Sequence, residues 1–108
     1  MLVLIVDTTD FNTAHLGLWQ NGRLLVKTSF KAQKKLSDKL LPAIIKLSKK
    51  AGVPLDRLDL VEVAKSETGS FTGQRVGMAV GKALGFGLNI VVRNSKLKSQ
   101  NSNPNLKT

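Results

Sequence analysis

Two short runs carry residue types that could handle a phosphate group. Asp7-Thr8-Thr9 closes an aliphatic run. A carboxylate there could hold a hydrated Mg²⁺ while the hydroxyls hydrogen-bond a phosphate. Gly69-Ser70-Phe71-Thr72-Gly73 opens a helical stretch, and backbone N–H groups at a helix start attract anions. Asp7, Thr8, Gly69, Ser70, Thr72 and Gly73 therefore form a candidate phosphate-binding set. It reads as degenerate, because Glu67 places a negative charge beside it. The simpler reading, which the sequence favours, is that Asp7 and Thr72 cap a local turn and the helix N-terminus. Ser70 has no neighbouring histidine or lysine to activate it as a nucleophile. His15 is the one histidine and reads as a strand residue beside Trp19.

The elements that would position these residues follow from periodicity. Leu2 to Val6 is a continuous aliphatic run, as in a strand buried on both faces. Thr13–Gln20 and Arg23–Phe30 flank Asn21-Gly22, a hairpin signal because both turn positions tolerate positive φ. Alternation puts Ala14, Leu16 and Leu18 on one face, and His15, Gly17 and Trp19 on the other. A helix is expected from about Ser37 to Ala51, with Leu36, Leu40, Ala43, Ile44, Leu47 and Ala51 facing a sheet. Pro42 requires that helix to start late or kink, and Gly52 supplies its stop. Leu60–Ala64 reads as a parallel strand, about Gly73 to Leu88 as a second helix, and Ile90–Val92 as a last short strand.

The expected fold is thus α/β: a five-stranded mixed sheet of three antiparallel and then two parallel strands, with two main helices. Residues 1–93 form the domain, and 94–108, rich in Asn, Ser and Lys, form a polar and disordered tail.

The second helix holds a further clue. Gly73, Gly77, Gly81 and Gly85 recur on one stripe, each costing roughly 0.5–1 kcal/mol relative to alanine unless close packing compensates. Its polar positions are only Gln74, Arg75 and Lys82, so the apolar sector exceeds what one sheet contact needs. With Leu41 and Ile45 off the main stripe of the first helix, this predicts a second buried contact, a protein interface formed by Leu41, Ile45, Arg75, Met78, Ala79, Lys82 and Phe86.

Composition narrows the classes. The 108 residues contain no cysteine, which excludes thiol catalysis, disulfides and Cys-ligated zinc. The N-terminal apolar run lacks a basic leader and no run approaches a membrane span, so the chain is expected to be cytoplasmic and without membrane contact. The net charge of +10 attracts polyanions or an acidic surface. Lysines near Lys31–Lys35, Lys46–Lys50 and in the tail could serve a tRNA-binding module.

Gly69-Ser-Phe-Thr-Gly73-Gln-Arg75-Val-Gly77 closely resembles the G-S-F-T-G-x-R-x-G signature of the TsaB (YeaZ) family, which belongs to the machinery making threonylcarbamoyladenosine in tRNA. Asp7-Thr8-Thr9 looks like that family's first-strand D-T motif, and Leu36-Ser-Asp-Lys-Leu-Leu-Pro42 resembles its H-S-E-x-L-L-P helix opening. Glu67-Thr68 stands where the family has Gly-Pro, and Leu36 where it has histidine. The resemblance spans about residues 1 to 95 and implies a ribonuclease-H-like or actin-like ATPase lobe, specifically the N-terminal one. It implies a non-catalytic scaffold or activating subunit that docks a TsaD-type partner, or a second copy, through its two helices, with tRNA reached through the complex. One lobe cannot close a nucleotide cleft, so no cofactor is expected and Mg-ATP is at most a weak ligand. A single histidine cannot supply the two-histidine metal site of catalytic TsaD, and no metal site or peptidase activity is expected.

Overall fold

A computed structural model describes residues 1–10, 12–32 and 35–95. Five strands and two helices follow in the order β1 (Leu2–Asp7), β2 (Thr13–Gln20), β3 (Arg23–Lys31), α1 (Leu36–Ala51), β4 (Leu60–Ala64), α2 (Phe71–Leu88) and β5 (Val91–Ser95), with a 3-10 turn at Leu55–Arg57 before β4. The sheet order is β3-β2-β1-β4-β5. β1 pairs antiparallel with β2 and parallel with β4, and β4 pairs parallel with β5. This is the mixed sheet expected from the sequence.

Local chemistry explains the turns. Asn21 and Gly22 both take positive φ, 52° and 80°, as a tight hairpin requires. Gly52 closes α1 at φ 71° and Asn89 closes α2 at φ 58°; both adopt the left-handed conformation that ends helices. Pro42 lies inside α1 on its exposed side. There the carbonyl of Asp38, deprived of its N–H partner, can face water.

Both β3–α1–β4 and β4–α2–β5 step the same way across the sheet. Right-handed crossovers therefore put both helices on one face. Leu2, Leu4, Val6, Leu16, Leu18, Val61 and Val63 line that face and pack with Leu40, Ile44 and Leu47 of α1. The opposite strand positions, Ile5, Trp19, Leu60 and Glu62, are also buried. Gly17 makes room for the Trp19 indole there, since a methyl at Gly17 would lie 3.1 Å from its Nε1.

Three differences from the expected elements have physical causes. The register of β2 and β3 shifts between Leu18 and Trp19, and this bulge leaves Leu25 of β3 40% exposed. α2 begins at Phe71 rather than near Gly73, because Ser70 caps it. β5 runs to Ser95, beyond the boundary at residue 93, because Arg93 pairs in register with Glu62 and its side chain holds that carboxylate. The rest of the expected tail, residues 96–108, lies outside the described residues.

Candidate functional site

The Asp7-Thr8-Thr9 turn meets the start of α2 directly. Strand alternation sends Thr8 toward the helix and Asp7 to the other side of the sheet. Thr8 is fully buried and its hydroxyl donates to the Gly73 carbonyl at 2.7 Å. Asp7, 1% exposed, accepts from the Thr9 N–H and hydroxyl at 3.0 and 2.6 Å. The Thr9 carbonyl in turn accepts from the Ser70 N–H at 2.6 Å.

The loop is closed from the helix side as well. The Ser70 hydroxyl accepts from the Gly73 N–H at 3.0 Å, and the Ser70 carbonyl accepts from the Gln74 N–H at 3.1 Å. Gln74 bridges the loop through both ends of its amide, donating to the Ser66 and Ser70 carbonyls and accepting from the Ser66 N–H. Ser70 is therefore the N-cap, and Thr72, named as a cap from sequence, is an exposed residue of the first turn. Of the candidate phosphate set, the structure brings Thr8, Gly69, Ser70 and Gly73 together. Their hydrogen-bonding groups named above already have partners within the chain. Asp7 joins them only through Thr9.

The glycine stripe explains this closeness. A methyl at Gly69 would come 2.6 Å from the Thr9 carbonyl oxygen, and methyls at Gly73 and Gly77 would overlap Thr8. Farther along, a methyl at Gly81 would lie 2.9 Å from Val63 Cγ2, and one at Gly85 would lie 2.9 Å from the Ile90 carbonyl oxygen and overlap Val92. The stripe thus seats α2 on β1, β4 and β5.

With the glycines turned inward, the other side of α2 faces outward. Phe86 is 92% exposed and Phe71 72% exposed, while Arg75, Ala79, Lys82 and Ala83 are exposed between them. The Arg75 guanidinium sits over the Phe71 ring, 5.3 Å from its centroid, a cation–π contact. Leu41 and Ile45 of α1 are 41% and 40% exposed. Both helices therefore carry exposed apolar side chains at positions where the sequence led one to expect an interface. Met78 differs, being half-buried against the core. It lines a cavity of about 440 Å³ with Lys65, Glu67, Phe71, Gln74 and Asn94. Phe71 was missed as a surface residue; recognising Ser70 as the N-cap would have placed it on the first outward turn.

His15 lies opposite Asp7 in the β1–β2 register. Among the described residues, no three His, Cys, Asp or Glu side chains are grouped to hold a metal ion. No described helix is long and apolar enough to cross a membrane.

Residues 30–94 match the family described as TsaD, tRNA N6-adenosine threonylcarbamoyltransferase. No curated protein matches the chain. Among solved structures, YeaZ from Pseudomonas aeruginosa superimposes with a TM-score of 0.76 at 26% identity, over 87% of this chain and 43% of that one. A second structure, described as an uncharacterized protein with similarity to peptidase YeaZ from the same organism, gives 0.77 at 26% identity, over 87% of this chain and 42% of the other. The chain spans less than half the length of both. Thermus thermophilus RuvC, at 14% identity and a TM-score of 0.61 over 88% of this chain and 63% of that one, shares the fold. So does a Bacteroides thetaiotaomicron protein with an actin-like ATPase fold, at 13% and 0.56 over 85% and 32%. The lobe is therefore similar to YeaZ (TsaB) and has the fold seen in RuvC and in the protein with an actin-like ATPase fold.

Proposed function

The chain belongs to the TsaD family, tRNA N6-adenosine threonylcarbamoyltransferase, and from that membership we propose that it serves threonylcarbamoyladenosine formation in tRNA as a docking subunit rather than as the catalyst. The observation that carries this reading is the exposure of Leu41 and Ile45 on α1 and of Phe71, Ala79 and Phe86 on α2. Burying a phenylalanine side chain fully is worth about 1.5–3 kcal/mol. Two such side chains, one near each end of α2, can anchor a partner, with Arg75 and Lys82 at the polar rim. The partner is a TsaD-type protein or a second copy of the chain.

The candidate phosphate set supports the same reading. Its Gly73 N–H, Ser70 N–H and Thr8 hydroxyl serve internal contacts, so the loop acts as a brace between β1 and α2. The Ser70 hydroxyl accepts the capping hydrogen bond, which suits a structural residue better than a peptidase nucleophile. Mg-ATP is then a weak ligand at most.

Reconstitution with a TsaD-type protein from the same source tests this. Threonylcarbamoyl transfer to tRNA is expected to rise when the chain is added, with no transfer or peptide cleavage by the chain alone. Transfer or cleavage by the chain alone, or indifference of the partner to its presence, overturns the proposal.

A further inference from the structure

The flank of α1 turned away from α2 carries a second surface. At 100° per residue, Lys39, Lys46 and Lys50 lie on the flank opposite Leu41 and Ile45. The Lys39 ammonium donates to the Lys31 carbonyl at 3.4 Å, which fixes this flank beside β3. Between β3 and α1 runs a groove of about 350 Å³ lined by Thr28, Phe30, Ala43, Lys46, Leu47 and Lys50. Among the described residues, no carboxylate forms an ion pair with Lys39, Lys46 or Lys50.

We propose that this groove binds RNA, with Lys39, Lys46 and Lys50 on phosphates of a looped single strand and the apolar floor under a base. This rests on the reading that the chain serves tRNA modification. The three lysines span about 16 Å of helix at 1.5 Å per residue, long enough to follow several nucleotides. A floor of the half-buried Phe30 and Ala43, backed by the buried Leu47, suits the face of an unstacked base, as in single-strand recognition. An anionic membrane fits less well. A membrane-surface helix needs its apolar face bordered by its lysines, whereas here the apolar side of that flank is occupied by the sheet.

Fluorescence anisotropy with a labelled tRNA transcript, titrated between 50 and 200 mM salt, tests the proposal. Each lost single-strand phosphate contact lowers the log–log salt slope by about 0.7. Lys46→Gln with Lys50→Gln should therefore flatten it by about 1.4, and the wild-type advantage should shrink about sevenfold across that range. The matching Lys→Arg pair should keep the wild-type slope. Equal binding by the Gln variant at every salt overturns the proposal, as does lysine-dependent binding of phosphatidylserine vesicles without tRNA binding. Sedimentation separates this from the docking reading: the Gln variant should retain self-association or partner binding, and a failed interface would leave tRNA binding intact.

Discussion

Gly77→Ala is the sharpest probe of how α2 is seated. Helix propensity alone favours alanine by about 1 kcal/mol. The new methyl, however, would overlap the Thr8 hydroxyl oxygen and sit 3.5 Å from Thr8 Cβ and Cγ2. If α2 lifts away to make room, the shift costs about 1–3 kcal/mol, as for other overpacked sites. If Thr8 rotates instead, its 2.7 Å bond to the Gly73 carbonyl is lost, leaving buried polar groups unpaired at about 1–3 kcal/mol. Where both the shift and the lost bond contribute, a net destabilisation of about 1–5 kcal/mol remains after subtracting the propensity gain. Gly87 supplies the control, since it lies in the same helix and an added methyl there would have nothing within 4 Å. Gly87→Ala should be neutral or stabilise by up to about 1 kcal/mol. Urea denaturation of both variants measures the difference. Gly77→Ala unfolding at or above the wild-type midpoint would refute the close seating of α2 on Thr8.

Two further outcomes follow from the same contacts. Arg93→Ala strips the partner from the 8%-exposed Glu62 side chain and should destabilise by about 1–3 kcal/mol, read as a lower urea midpoint; no change would mean that water replaces the guanidinium freely. Isothermal titration with Mg-ATP should show no low-micromolar binding, because the loop's donors serve internal contacts, and tight binding would reinstate the phosphate-cradle reading.

Much of the fold was legible because its signals are local. Asn21-Gly22 and Gly52 demand backbone conformations that few residues adopt, and Leu60–Ala64 is bounded by polar residues on both sides. The glycine stripe showed that something lies close to α2, and the structure identifies it as Thr8, Val63 and Val92. Other features depend on distant residues and left weaker marks. β5 extends to Ser95 because of Glu62 on another strand, so the polar Arg93-Asn94-Ser95 looked like tail. The exposed Leu25 comes from a bulge that strict alternation cannot anticipate. Phe71 was hidden by taking Thr72 as the cap. Met78 looked like an interface residue on a helical wheel, yet packs against the core, because the orientation of the helix is set by what lies beneath it rather than by its own periodicity.

Docking through the exposed apolar side chains of α1 and α2 is measured by sedimentation of the wild-type chain beside Leu41→Glu and Phe86→Glu. Both residues are solvent-exposed in the lone chain, so the variants should fold with wild-type circular dichroism. The wild-type chain should dimerise, or form a complex with a TsaD-type partner, and each glutamate should abolish that association. A wild-type chain that stays monomeric at high concentration and also fails to bind such a partner would contradict docking through these side chains.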